Sequence, residues 1–178
     1  MEPKLSDGPE GTSRQTANIL GTLAVVIQDR VEGAWQSTLD LSPMAAAAIV
    51  QTEMEPGSSI EQVATRIGLS HSATVRVIDK LVERGLIEKD RARKDARQQS
   101  LSLSKAGKRV AEQLHAVRND VTDSLLAGMD QGQVTALHQA VCRILNKAVT
   151  TNREGDVVCR VCDERRCTPD ICPIQPAA

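Results

Sequence analysis

Two short amphipathic patterns separated by a tight turn constrain the fold of this chain more than any other feature. Ser59 can cap a first helix over residues 60–67, which would end at Gly68, because serine is a favoured N-cap and glycine a favoured helix end. Ser70 can cap a second helix over residues 71–84, which would end at Gly85. Only a few residues remain for the turn between them. This spacing predicts a helix-turn-helix.

The pattern changes after Gly85. Residues 86–89 (LIEK) predict a short strand, residues 90–97 (DRARKDAR) a charged loop, and residues 99–104 (QSLSLS) alternate polar and apolar side chains. Alternation with a period of two is typical of a half-buried strand, so these segments predict a β-hairpin. Ser104 can then cap a helix that runs to about Leu126.

Further helices are predicted on both sides of this unit. One runs from Ser13 to about Leu39, and Ser42-Pro43 opens an alanine-rich helix from Met44 to Glu53. Asp130 or Gln131 opens a last helix, whose predicted buried side comprises Val134, Leu137, Val141, Ile144, Leu145 and Ala148. The expected fold class is mainly α: a winged helix-turn-helix with a two-stranded β-hairpin wing and long N- and C-terminal dimerisation helices. The expected divisions are a disordered N-terminal tail over 1–12, the helical domain over 13–150, and a cysteine-rich tail over 151–178.

Composition agrees with a helical core, and the charge is unevenly distributed. Trp35 is the only aromatic residue, so the core must consist of aliphatic side chains, which suits helix-on-helix packing. From Gln62 to Arg109 there are 12 Lys and Arg against 5 Asp and Glu, although the whole chain has a formal net charge of −1. A positive surface of this kind is what phosphate binding requires, whereas a merely solvated charged face is the alternative.

The second helix of the pair carries the residues expected to read DNA. Ala73, Val77 and Leu81, spaced by four, are predicted to face the core. The opposite side would offer small polar groups and cations, which suit close approach to base edges and phosphates in a major groove. Arg76 is the strongest candidate because its planar guanidinium can form two parallel hydrogen bonds. The candidate DNA-binding residues here are Ser70, His71, Ser72, Val75, Arg76 and Lys80.

The hairpin loop supplies a second set of candidates. A basic hairpin beside a recognition helix can follow the DNA backbone and insert an arginine into a narrow minor groove. Asp95 lies two residues before Arg97 and can orient its guanidinium. The candidates in the wing are Arg91, Arg93, Lys94, Asp95 and Arg97.

The run from Leu69 to Gly107 resembles the recognition helix, wing and following helix start of the MarR family. The marks are R-x-x-D-x-L-x-x-x-G-L-I from Arg76, D-x-R at Asp95 and Arg97, and L-S-x-x-G ending at Gly107. The resemblance in element order extends over roughly 13–150. It implies a homodimer with interlocking terminal helices and a repressor released by a ligand or by oxidation. It also implies that Asp95 and Arg97 contact the minor groove and that Ser72, Val75 and Arg76 lie among the recognition residues.

Four cysteines near the end form C-x2-C-x4-C-x4-C and are candidate metal ligands: Cys159, Cys162, Cys167 and Cys172. Four thiolates can surround zinc tetrahedrally and order a segment too short to have its own core, so zinc is the expected cofactor. An iron–sulfur cluster also uses four thiolates, and a reversible dithiol at Cys159 and Cys162 is a third interpretation. Cys142, within the last helix, is expected to be a buried core thiol.

The sequence as a whole predicts a dimeric, sequence-specific regulator of double-stranded DNA, a repressor modulated by metal or redox state at its cysteines. One alternative is control by a small organic effector with a purely structural zinc tail, and another is a protein-interaction adaptor. No nucleophile–base pair or phosphate loop accompanies the scattered histidines, so an enzyme is not expected. No signal peptide or membrane-spanning segment is apparent, so a cytoplasmic location without membrane contact is expected.

Overall fold

The computed structural model describes the backbone of residues 9–91, 99–167 and 171–174, and the side chains of 12–90, 100–167 and 171–174. Its elements, in chain order, are α1 (Pro9–Leu39), α2 (Pro43–Met54), α3 (Ile60–Ile67), α4 (His71–Glu83), β1 (Ile87–Arg91), β2 (Gln99–Leu103), α5 (Lys105–Leu126), α6 (Gln131–Ala148) and α7 (Asn152–Val158). Helices thus predominate around one two-stranded sheet, and the predicted fold class is confirmed.

Most element boundaries follow from local capping. Serine side chains accept a backbone N–H at the start of four helices, as predicted: Ser42, Ser59, Ser70 and Ser104. Asp130 caps α6 by accepting the backbone N–H of Gln133, and its own N–H donates to the Gln133 side-chain oxygen. Each cap satisfies a backbone donor that has no partner within the helix. Two boundaries differ from expectation: α1 begins at Pro9, before Ser13, and α7 was not predicted.

The core lies where α2, α3, α4, the hairpin and the first half of α5 meet the end of α1. Its side chains are almost all aliphatic. Trp35 on α1 is buried, and its indole N–H donates to the Leu114 carbonyl of α5 at 3.1 Å. That bond satisfies the only polar atom of the ring and fixes α1 to α5. The largest fully buried side chains include Leu41, Ile49, Ile78, Leu81, Ile87, Leu101 and Leu114.

The hairpin is antiparallel, with Ile87 opposite Leu103 and Lys89 opposite Leu101. The backbone of Leu101 also forms two hydrogen bonds with the loop between α2 and α3. Its carbonyl accepts the N–H of Gly57 at 2.8 Å, and its N–H donates to the carbonyl of Ser58 at 2.9 Å. The base of the wing is therefore tied to the loop between α2 and α3 as well as to its partner strand.

Helix α6 differs from the prediction of a buried apolar side. No residue of α6 is buried in the single chain, and Leu137, Val141 and Ile144 are among its exposed apolar side chains. Cys142, expected to be buried, is half-buried, with its Sγ 3.6 Å from the Nε2 of His138. The stripe has helical spacing as predicted, but none of the described residues of the same chain buries it.

No helix in the described ranges is long and apolar enough to cross a membrane.

Candidate nucleic-acid interface and cysteine cavity

The turn between α3 and α4 positions the recognition helix. Gly68 ends α3 with a φ of 72°, a left-handed conformation that glycine adopts without strain, and Ser70 begins α4 by accepting the N–H of Ala73. The Ser70 hydroxyl also lies 3.4 Å from that of Ser72. The predicted helix-turn-helix is therefore present, with α4 as its second helix.

The exposed side of α4 contains most of the predicted DNA-reading residues. His71, Ser72, Arg76 and Lys80 are exposed, whereas Val75 is half-buried. His71 Nδ1 lies 2.9 Å from a Glu61 carboxylate oxygen on α3. The structure thus brings these candidates to one accessible helix surface, and their contact with DNA stays a prediction.

The core side of α4 is rotated from the one expected. Thr74, Ile78 and Leu81 are buried, whereas Ala73 and Val77 are only half-buried. The Thr74 hydroxyl donates to the carbonyl of Ser70 at 3.0 Å, which satisfies its polar group inside the domain. The pattern of apolar residues misled the prediction, because a threonine whose hydroxyl bonds within its own helix can take a core position.

Two contacts of α4 were not predicted. Lys89 on β1 lies 2.5 Å from Asp79, between Nζ and Oδ1. Arg84 donates to the carbonyls of Leu39 at 3.0 Å and Asp40 at 2.6 Å, at the end of α1. Only the opposite charges of Asp79 and Lys89 could have suggested the first contact, and nothing local suggests the second. Together they fix the recognition helix to the wing and to α1.

Arg76 and Lys80 also line a cavity of about 320 Å³ between α4 and the end of α1, together with Arg84 and Asp40. Arg76 makes no ion pair or hydrogen bond with any other described residue. Its guanidinium is therefore available to an external anion.

The predicted wing residues lie at the edge of the described residues or outside them. The backbone of Arg91 closes β1, but its side chain is not described, and Arg93, Lys94, Asp95 and Arg97 lie outside the described residues.

The four tail cysteines come together around one cavity. Cys159, Cys162, Cys167 and Cys172 line a space of about 760 Å³ between the tail, the end of α2 and α3. Gln51, Met54, Glu55 and Arg66 contribute to its walls, and Arg66 pairs with Glu55 there. Within the described residues, no three His, Cys, Asp or Glu side chains are arranged to hold a metal ion. Hydrogen bonds nevertheless join successive thiols, from Cys159 to Cys162, from Cys162 to Cys167 and from Cys167 to Cys172.

The thiols influence one another electrostatically. The Cys159 thiol hydrogen-bonds to Cys162, which raises the pKa of Cys159 and lowers that of Cys162 to about 6. Arg118 adds to the lowering by favouring the Cys162 thiolate. Burial and the neighbouring Cys172 raise the pKa of Cys167 to about 11. The chemistry of the donor set fits a soft, thiolate-binding metal, and a low-pKa thiol beside a second thiol also fits disulfide chemistry.

A buried polar cluster attaches the tail to α5. Asp163 is only 4% exposed and accepts from the Asn119 side chain at 2.9 Å and from Arg165 Nε at 2.8 Å. These bonds hold the pKa of the Asp163 carboxyl well below its usual range. Nearby, His115 is also buried, with its Nε2 2.8 Å from a Glu53 oxygen. Sequence reasoning missed this cluster because Asn119 and Asp163 are distant along the chain.

Comparison with known proteins supports the fold and the DNA-binding unit. A family model described as MarR family matches residues 39–98, which run from the last residue of α1 to the residue before β2. The structure is similar to YusO of Bacillus subtilis, with 17% identity over 78% of this chain and 97% of that chain and a TM-score of 0.70. It is also similar to the reduced form of MarR from E. coli, with 19% identity, 71% and 96% coverage and a TM-score of 0.61. A third similar structure, a mutant of MepR from S. aureus bound to an oligodeoxyribonucleotide, has 10% identity, 75% and 97% coverage and a TM-score of 0.58.

The fold and the match at 39–98 define a winged helix-turn-helix domain similar to that of MarR-family proteins. The resemblance to the MarR family that the sequence motifs indicated is thereby confirmed. This family consists of transcription regulators and not of enzymes, in agreement with the sequence prediction.

Proposed function

We propose that this protein is a homodimeric repressor that binds specific sites on double-stranded DNA. The observation that carries the proposal is the exposed side of α4, where Ser72, Arg76 and Lys80 stand on a helix held by its cap, the wing and α1. Small polar groups and unpaired cations on such a helix suit a major groove. The similar MepR structure was determined with an oligodeoxyribonucleotide bound.

Selection from a random duplex library, followed by gel retardation at physiological salt, tests DNA binding directly. We expect an enriched, two-fold symmetric sequence that resists competition by bulk DNA, since a symmetric dimer reads two half-sites. The affinity should fall steeply as salt is raised, because phosphate contacts release counterions. Equal retention of all sequences, or none, would contradict the proposal and favour the protein-interaction adaptor.

Dimerisation is supported by two apolar faces that the described part of a single chain leaves uncovered. The side chains of Ile19 and Leu23, one turn apart on α1, are 55% and 40% exposed, and that of Ile144 on α6 is 46% exposed. Contiguous apolar surface on terminal helices is typical of a subunit interface.

Replacing Ile144 by Glu should therefore produce monomers by light scattering with helix content retained, because a charge would be buried without a partner. Val158→Glu alters an equally exposed apolar residue on α7 and is the matched control. Dimers that persist in Ile144→Glu would place the interface elsewhere.

Repression requires only that the dimer occupy promoter DNA, for which the helix-turn-helix and the dimer helices suffice. In vitro transcription from a promoter carrying the selected site should fall as protein is added. A rise in transcript would identify an activator instead.

We further propose that the tail cysteines bind zinc, with an iron–sulfur cluster as the alternative. The support is that four cysteines at spacing C-x2-C-x4-C-x4-C line one cavity. Zinc bound there by Cys159, Cys162, Cys167 and Cys172 would form a four-coordinate structural site that cross-links the tail.

Metal analysis and an absorption spectrum of anaerobically purified protein separate the possibilities. One zinc per chain without colour supports zinc, and colour with iron and sulfide supports a cluster. Metal-free protein would leave the thiol switch, or an organic effector with a merely structural tail, as the remaining interpretations.

A further inference from the structure

The cysteine tail packs directly against the helix-turn-helix of its own chain. Val157 of α7 lies against Gly68, close enough that a Cβ added to Gly68 would stand 3.4 Å from the Val157 Cγ1. Gly68 is the left-handed residue of the turn that leads from α3 into the recognition helix. Gln51 of α2 donates to the carbonyl of Arg160 at 3.2 Å, just beyond α7.

The far side of the tail is fixed to a different helix. Asp163 is held by Asn119 of α5, and Arg166 donates to both carboxylate oxygens of Asp123 of α5 at 2.9 Å. The tail therefore bridges α5, a long helix of the scaffold, and the turn of the helix-turn-helix. Cys159 and Cys162 lie between these two attachments.

A metal bound by the four thiols would cross-link this bridge. Hydrogen bonds join Cys159 to Cys162, Cys162 to Cys167 and Cys167 to Cys172, although in the described residues no three metal ligands are arranged to hold an ion. A tetrahedral thiolate site has metal–sulfur distances of about 2.3 Å, so a bound ion would replace these hydrogen bonds by fixed sulfur positions. Cys159 forms the C-cap of α7, where its N–H donates to the carbonyl of Gly155 at 2.8 Å. A metal that fixes Cys159 would therefore fix the end of α7, while the buried Asp163 holds the opposite end.

From these contacts we propose that metal occupancy of the cysteine cavity is coupled to DNA binding within the same chain, through the contact of Val157 with Gly68. The proposal rests on the proposed function, since it requires both a bound metal and a DNA-binding α4. The coupling acts on the turn of each helix-turn-helix, so it does not need a change in the spacing between the two subunits. A small shift of α7 would reach this turn because packed interfaces deform little.

Linkage supplies a strict test. If zinc changes the affinity for DNA by some factor, DNA must change the affinity for zinc by the same factor. With ZnCl₂ as the probe, under anaerobic reducing conditions, we expect a change of at least about fivefold in the dissociation constant of the selected duplex. Chelator competition measures the dissociation constant for zinc with and without the duplex. The ratio of these two constants should equal the factor found for DNA.

Two neighbouring valines provide the variant and its control. Val157→Ala removes the methyl groups that lie beside Gly68 and leaves all four cysteines, so it should bring the coupling factor close to one while one zinc per chain is retained. Val158→Ala removes the same atoms from an exposed side chain and should keep the full factor. Circular dichroism and urea unfolding verify that both variants fold.

The inference is overturned if zinc and DNA both bind but neither alters the other, or if Val157→Ala keeps the coupling that Val158→Ala keeps. A chain that binds no zinc would overturn the inference as well, but it would leave the proposed DNA-binding function standing. A chain that binds zinc but no DNA would instead contradict the proposed function on which it rests.

Discussion

Lys89 on the first strand of the wing lies 2.5 Å from Asp79 on the recognition helix, between Nζ and Oδ1. The lysine side chain is 22% exposed, so its stem packs along the domain while its charge meets the carboxylate. The two elements that are proposed to contact neighbouring grooves are thus joined by one ion pair.

A double-mutant cycle should detect this pair. Lys89→Met and Asp79→Asn should each lower the free energy of unfolding, and the cycle should give a coupling energy of about 0.2–1 kcal/mol, the range for partly exposed pairs. Urea unfolding at low ionic strength measures it, and added salt should reduce it. Additive effects of the two substitutions would show that the pair contributes nothing to stability.

Gly107 should tolerate no side chain. A Cβ at this position would lie 2.0 Å from the carbonyl oxygen of Leu86, which also accepts the N–H of Ser104. We expect Gly107→Ala to lower the free energy of unfolding by about 1–3 kcal/mol, because backbone at the base of the wing must move. Gly33→Ala, at a helical glycine whose Cβ would meet nothing within 4 Å, is the control and should not destabilise the chain. Equal stability of Gly107→Ala and the parent would refute the close approach.

Arg76 should determine specificity without affecting folding. Since its guanidinium has no partner among the described residues, Arg76→Ala should leave urea unfolding unchanged and weaken binding to the selected duplex by about 1–3 kcal/mol. Anisotropy titrations with the selected and a scrambled duplex would show the loss mainly for the former. Arg153→Ala, which removes one exposed positive charge on α7, controls for net charge. A similar loss in both variants would mean that Arg76 acts only through charge.

Asp163 should make the free energy of unfolding depend on pH in the acidic range. Its pKa is held low in the folded chain by Arg165 and Asn119, whereas an unfolded aspartate has a pKa of about 3.9. The stabilisation is therefore complete above that value and is lost as pH falls through it toward the lower folded pKa.

Asp163→Asn should accordingly cost about 1–3 kcal/mol at neutral pH, and the difference from the parent should shrink below about pH 4. Urea unfolding between about pH 3 and 7 measures this difference. A difference that stays constant over the whole range would show that the Asp163 carboxylate is not stabilised by its charge.

Local patterns were sufficient for most of the DNA-binding unit. Ser59, Gly68 and Ser70 predicted two helices and their turn, because caps and left-handed glycines act within a few residues of the chain. Alternation in residues 99–104 likewise predicted β2, since side chains of a strand alternate between its faces. The helical spacing of apolar residues in α6 was right, but burial requires a second surface, and spacing alone does not reveal whether that surface belongs to the same chain.

The sequence by itself determined that the chain carries a winged helix-turn-helix and four clustered thiols, because capping, periodicity and ligand spacing are short-range properties. Only the tertiary structure decided that Thr74 occupies the core side of α4, that Lys89 meets Asp79, and that the tail lies against Gly68 and Asn119. Each of these contacts joins residues whose approach depends on how whole helices pack. Packing is a property of all the surfaces together, and no short stretch of sequence encodes it.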